Sequence, residues 1–96
     1  MKINVSKDTC ELLKAQLEKK SKKYVRLHMA GFGWGGPAFS IVLDEQIKDG
    51  DIKVEVNEII FLVNEEFEEF LDDSTVLHSK SMFGTSFKVS SKHSSC

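Results

Sequence analysis

The 96-residue chain is short of the residues that hold small proteins together by covalent means, with two cysteines, one proline, one tryptophan and one tyrosine. Two cysteines cannot build the multi-bridge framework of a small secreted domain, so an apolar core has to hold the fold. No apolar run approaches the eighteen or so residues of a membrane-spanning helix. The opening Met1-Lys2-Ile3-Asn4-Val5 contains no apolar stretch of signal-peptide length. These absences predict a cytoplasmic protein with reduced thiols and no membrane partner. Charge of one sign is lacking too: 13 basic residues face 15 acidic ones, for a net charge of −2. That balance argues against nucleic acid as a partner, which calls for a basic surface. A chain of this length makes one domain that buries roughly 60–65% of its unfolded surface, a real core but a thin one.

What charge there is divides unevenly. Lys14, Lys19, Lys20, Lys22, Lys23 and Arg26 lie early, and Glu65, Glu66, Glu68, Glu69, Asp72 and Asp73 lie late. Such runs read as two solvated faces. Between them the hydrophobic pattern changes period. Cys10, Leu13 and Leu17 recur at helical spacing behind a capping Ser6 or Asp8, and Lys19 and Lys20 close that helix. Cys10 falls on the apolar stripe and reads as a buried, inert thiol. Tyr24 to Ala30 alternates as a half-buried strand, and Phe39 to Leu43 as a second.

Asp49-Gly50 carries a strong hairpin signal ahead of a strand over Ile52–Val56, and Asn57-Glu58 turns into Ile59–Val63, apolar enough for burial on both faces. Asn64 is placed to cap a short acidic helix with Phe67, Phe70 and Leu71 at helical spacing. Strands near Thr75–His78 and Ser86–Val89 complete the chain. The pattern predicts an α+β, mostly β domain over residues 1–90, with residues 91–96 as a flexible polar tail ending in Cys96.

The motifs of common chemistries fail on context. His28, His78 and His93 are scattered, without the spacing of a zinc site. The acidic run has no calcium-loop pattern. Four of the six glycines lie at positions 31, 33, 35 and 36, with the single proline next at 37 and the single tryptophan among them at 34. A phosphate-binding loop needs a helix after its glycines, and here a strand follows. These glycines let the chain turn tightly and approach another group closely. Such a loop presents Trp34 at its tip, as a site residue or simply as a cover for apolar surface at the loop base.

The stretches "INVSKDTCELL", "VRLHMAGFGWGGPAFSIVLDE", "IIFLVNEEFEEFL" and "GTSFKVSSK" resemble the HesB-like, or A-type iron–sulfur carrier, family. They are most similar to its small branch whose loop reads Gly-Cys-Gly-Gly-Pro, some members of which carry selenocysteine in the loop. The resemblance implies a mixed β-sandwich-type domain with an N-terminal helix and a short acidic helix, often dimeric. It implies iron or an iron–sulfur cluster held by thiolates, from the loop cysteine and a Cys-Gly-Cys pair near the carboxyl terminus. It also implies partners of two kinds, iron–sulfur assembly proteins and apo-protein acceptors, and a binding role in place of an enzymatic one.

At these positions the sequence departs from the family pattern. Trp34 stands at the loop-cysteine position, and Cys96 alone falls near the Cys-Gly-Cys pair. An indole offers only an N–H donor and cannot ligate iron. One thiolate per chain, or two per dimer, falls short of the usual four. The expected cofactor-binding positions are therefore Trp34 and Cys96, with Cys96 the one metal ligand, and weak or absent cluster binding. The alternative is a thiol or selenol redox protein in which residue 34 is natively cysteine or selenocysteine and pairs with Cys96.

Overall fold

The computed structural model describes residues 1–33, 36–82 and 84–90, with the side chains of residues 32, 33, 36 and 37 excepted. The described chain begins with β1 (Ile3–Val5), runs through α1 (Lys7–Lys20) and then pairs β2 (Tyr24–Gly33) with β3 (Gly36–Asp44). β4 (Asp51–Val56) and β5 (Ile59–Asn64) follow, then a single 3-10 turn at Glu65–Phe67, α2 (Glu68–Leu71), β6 (Ser74–Ser81) and β7 (Gly84–Ser90). Two sheets form, in the orders β1-β6-β7 and β3-β2-β5-β4. β1 runs parallel to β6 and β2 parallel to β5, and the other pairings are antiparallel.

Local chemistry sets the elements. The Ser6 hydroxyl accepts the Thr9 N–H at 3.2 Å and caps α1, satisfying one of the donors a helix start leaves free. At the other end Ser21 adopts a left-handed conformation, and its N–H returns to Leu17 and Glu18 carbonyls. The buried face of α1 is Thr9, Cys10 and Leu13, with Leu17 packed beside it. It meets Val25 and Leu27 of β2 and Phe61 and Val63 of β5 in one core. Full burial of side chains such as Leu13 and Phe61 contributes about 1.5–3 kcal/mol each. Leu62 is buried as well, so β5 is covered on both faces, as its unbroken apolar run predicts. Asn64 caps the turn after it by accepting the Glu66 N–H at 3.0 Å.

Three expectations need correction. The first element is β1, not a helix; three residues are too few to show a period, and β1 exists because β6 offers a parallel partner. Asp49-Gly50 does not make a hairpin, since β3 and β4 lie at opposite edges of their sheet. Gly50, at φ 84°, instead ends a crossover that carries the chain across the sheet. The hairpin signal belongs to Asn57-Glu58, whose positive φ values of 48° and 70° form the two-residue connection of β4 to β5. Finally, the glycine segment holds regular structure better than its composition suggests. β2 and β3 stay paired out to Gly33↔Gly36, because backbone ladders need no side chains.

Candidate functional site

The candidate site is the β2–β3 hairpin and the groups that hold it. From Met29 to Phe39 no residue carries a charge, and Met29, Ala30, Gly31 and Ala38 are exposed. A register irregularity falls between Met29 and Gly31, the kind of bulge that re-aims a strand end. A Cβ built on Gly31 would meet nothing within 4 Å, so packing does not require that glycine. Below the bulge His28 faces Ser40 across the ladder, with Nε2 and Oγ 3.2 Å apart. The expected site residues Trp34 and Cys96 both lie outside the described residues, as do the tail and its boundary at residue 91.

At the other end of the β2–β3 ladder, where Asp44 pairs with Tyr24, lies a charged cluster that sequence reading missed. The Arg26 guanidinium on β2 donates from Nε to Asp44 at 2.9 Å and from its two terminal nitrogens to both oxygens of Asp51 at 2.7 and 2.8 Å. A further bond reaches the Gln46 carbonyl at 3.0 Å. The Asp51 side chain is 0% exposed and that of Arg26 13%, so the pair is largely shielded from solvent. Hydrogen bonding from Arg26 holds the Asp51 carboxyl below the usual carboxylate range despite its burial, with help from the Lys48 N–H. Asp44 is lowered by Arg26 first and then by the N–H groups of Gln46 and Glu45. The Asp51 bond in turn raises the Arg26 pKa against the opposing effect of burial. One signal was available in the sequence: Arg26 is the only arginine of the chain, in a fold that otherwise uses lysine, and a planar fork suits two carboxylates as an ammonium cannot.

The remaining candidates are separate. Cys10 is 2% exposed and unbridged, as its place on the apolar stripe predicts. The Asn57 amide lies 3.4 Å from its sulfur, and a depression of about 290 Å³ lined by Lys7, Cys10, Glu11, Lys14, Asn57 and Glu58 opens there. This is the wrong end of the sheet for the hairpin. Tyr24 pairs with Ile60 next to that turn, whereas Gly33 lies at the far end of β2, roughly 30 Å of strand away at about 3.3 Å per residue. His78 accepts or donates at Nδ1 to the buried Thr9 hydroxyl, 2.7 Å away, and that hydroxyl meets Ser6 at 2.9 Å. His28 and His78 are thus strand histidines with hydroxyl partners, and among the described residues no group of three His, Cys, Asp or Glu is arranged to hold a metal. Cys10 is the one thiol described, so the described residues offer no soft donor set for an iron–sulfur cluster.

Two mixed sheets with a helix packed on their core, and a glycine-rich hairpin reaching past it, define the fold of the A-type iron–sulfur carriers. It superposes on IscA with a [2Fe-2S] cluster at TM-score 0.78, covering 95% of this chain and 86% of that one at 14% identity. Escherichia coli SufA, involved in biosynthesis of iron–sulfur clusters, matches at TM-score 0.77 over 91% of this chain and 77% of its own, at 16% identity. An Aquifex aeolicus protein solved in solution matches at TM-score 0.71, 13% identity, over 91% of this chain and 88% of its own. In sequence, the iron–sulfur cluster insertion protein ErpA of Alcanivorax borkumensis is 32% identical over 66 residues, which is 69% of this chain and 56% of ErpA. The chain thus spans little more than half the length of that relative. The iron–sulphur cluster biosynthesis family model matches residues 1–95, and the chain belongs to that family.

Proposed function

We propose that this chain works in iron–sulfur cluster assembly as a non-enzymatic, cytoplasmic carrier-type protein that cannot hold a cluster unaided. Its cargo would be iron or an iron–sulfur cluster, passed between assembly proteins and apo-protein acceptors, with two copies of the chain pooling their Cys96 thiolates and the partner supplying the rest. The observation that carries the reading is the position of Cys10, buried at the end of the sheet opposite the glycine-rich hairpin. With Trp34 at the loop position, Cys96 is left as the one available thiolate of each chain. The glycines around residue 34 suit a small reactive atom better than an indole, which favours descent from the branch with cysteine or selenocysteine in the loop.

Anaerobic reconstitution with iron and sulfide tests this, comparing the parent with Trp34→Cys, each with and without Cys96→Ser. The parent is expected to retain little iron or sulfide. Trp34→Cys should gain a visible-absorbing cluster and lose it again with Cys96→Ser. A stoichiometric cluster on the parent would overturn the reading, as would a cluster indifferent to Cys96. If Trp34→Cys binds no iron and instead forms a disulfide with Cys96, thiol exchange replaces carriage as the function of the scaffold.

A further inference from the structure

The β2–β3 hairpin carries little information about its own register near its end. An odd slide of β3 past β2 would turn the buried Phe39, with Ile41 and Leu43 beside it, to solvent, and burial forbids it. A slide of two residues keeps every face. It brings Leu43 opposite Leu27 in place of Ile41, the partner seen here. Beyond Met29 the strands contribute Ala30, Gly31, Gly33, Gly36 and Ala38, which lack the bulk to specify a partner, and a single larger pair, Phe32 opposite Pro37. In the present register a Cβ on Gly31 would meet nothing within 4 Å among the described residues. On the core side, the Phe39 ring packs at 5.8 Å from Phe67 and 6.4 Å from Phe70, and a slide would replace it there with Ile41, also apolar.

We propose that Arg26 is the positioning residue that locks this register, by gripping three points of the chain at once. Asp44 ends β3, Gln46 begins the crossover, and Asp51 begins β4. Asp51 cannot follow β3, because it is paired with Asn64 on β5 and receives the Lys48 N–H at 2.6 Å. A two-residue slide carries Asp44 and Gln46 roughly 7 Å along β2 while Asp51 stays in place. One rigid guanidinium fork cannot then keep all three partners. The lock thereby decides which residues stand at the end of the hairpin, at Gly33↔Gly36, and it does so whether or not the chain carries a cluster.

The test is NMR of Asp44→Ala, which removes the one ion pair between the fork and β3 and leaves the shielded Arg26–Asp51 pair and the bond to the Gln46 carbonyl intact. Contacts between the side chains of Leu27 and Ile41 report the present register, and contacts between Leu27 and Leu43 the slid one. The slid contact is expected to rise at least tenfold over the parent in Asp44→Ala and in Arg26→Met/Asp51→Leu. Asp44→Glu, which keeps a carboxylate within reach, should restore a single register. Leu13→Ala, which weakens the core away from the fork, should show no slid contact although it melts earlier. A single native register in Asp44→Ala, with no more than a lowered midpoint, would overturn the proposal. Should the double variant fail to fold, Asp44→Ala decides alone.

Discussion

Asp51 shows how a residue's burial and its partners act against each other. A carboxylate with no exposed side-chain surface is costly to bury charged, yet two bonds from Arg26 and one from the Lys48 N–H keep it ionised. Removing one partner of such a pair costs about 3–5 kcal/mol, because the other is left uncompensated. Linkage fixes the pH dependence. Asp44 and Asp51 both have folded pKa values below that of an ordinary aspartate, so below the unfolded value of about 3.9 the unfolded chain binds more protons. Their contribution is therefore complete above about pH 4 and is lost as pH falls through the lowered folded values. Asp51→Asn should lower stability by about 3 kcal/mol at neutral pH and flatten the acid side of a urea-midpoint profile between pH 2 and 5. An unchanged acid slope would show that the pair is not the group that titrates.

The β4–β5 hairpin is the element with the most evident local strain. Both residues of its turn hold positive φ without being glycine. The left-handed conformation costs roughly 1–2 kcal/mol for an L-residue with a Cβ, and asparagine tolerates it better than glutamate does. Asn-Gly is the pair this turn favours. Glu58→Gly is thus expected to stabilise the protein by about 0.5–1 kcal/mol, the relief of strain exceeding the added entropy of the unfolded chain. Chemical denaturation of the variant checks it, and a loss of stability would mean that Glu58 makes an interaction stronger than its strain. The same element shows why a turn signal alone does not identify a hairpin. Asp49-Gly50 and Asn57-Glu58 can both reverse a chain, and only the strands on either side decide which reversal closes a ladder.

For the whole molecule, α1 lies against both sheets, and its Cys10 thiol reports on how that packing opens. The sulfur is buried in the core cluster with Leu13, Phe61 and Val76. In a Cys96→Ser background, Cys10 should react with a disulfide reagent only at the rate of global unfolding, at least a hundredfold slower than a denatured control. Labelling that stays fast far below the urea midpoint would mean that α1 leaves the sheets on its own, as a separate cooperative unit.

Much of the architecture follows from residues close together in the chain. The helical stripe of Cys10, Leu13 and Leu17, the alternation from Val25 to Met29, the doubly buried run at Ile59–Val63 and the Asn64 cap are each set by a few neighbouring side chains. That is why the sequence by itself determined an α+β, mostly β domain with a buried Cys10. It also determined, through its lack of thiols, that the chain departs from the ligand pattern of the carriers it resembles. Tertiary structure decided the rest. Which strand lies beside which, the parallel partner that makes a strand of Ile3–Val5, and the crossover from β3 to β4 depend on contacts distant in sequence. The Arg26 fork is the clearest case. Its two carboxylates lie 18 and 25 residues away, and no periodicity marks them, since an ion pair needs only two groups brought together by folding. Whether an arginine on an alternating strand faces water or a buried aspartate is settled by the loop that crosses over it.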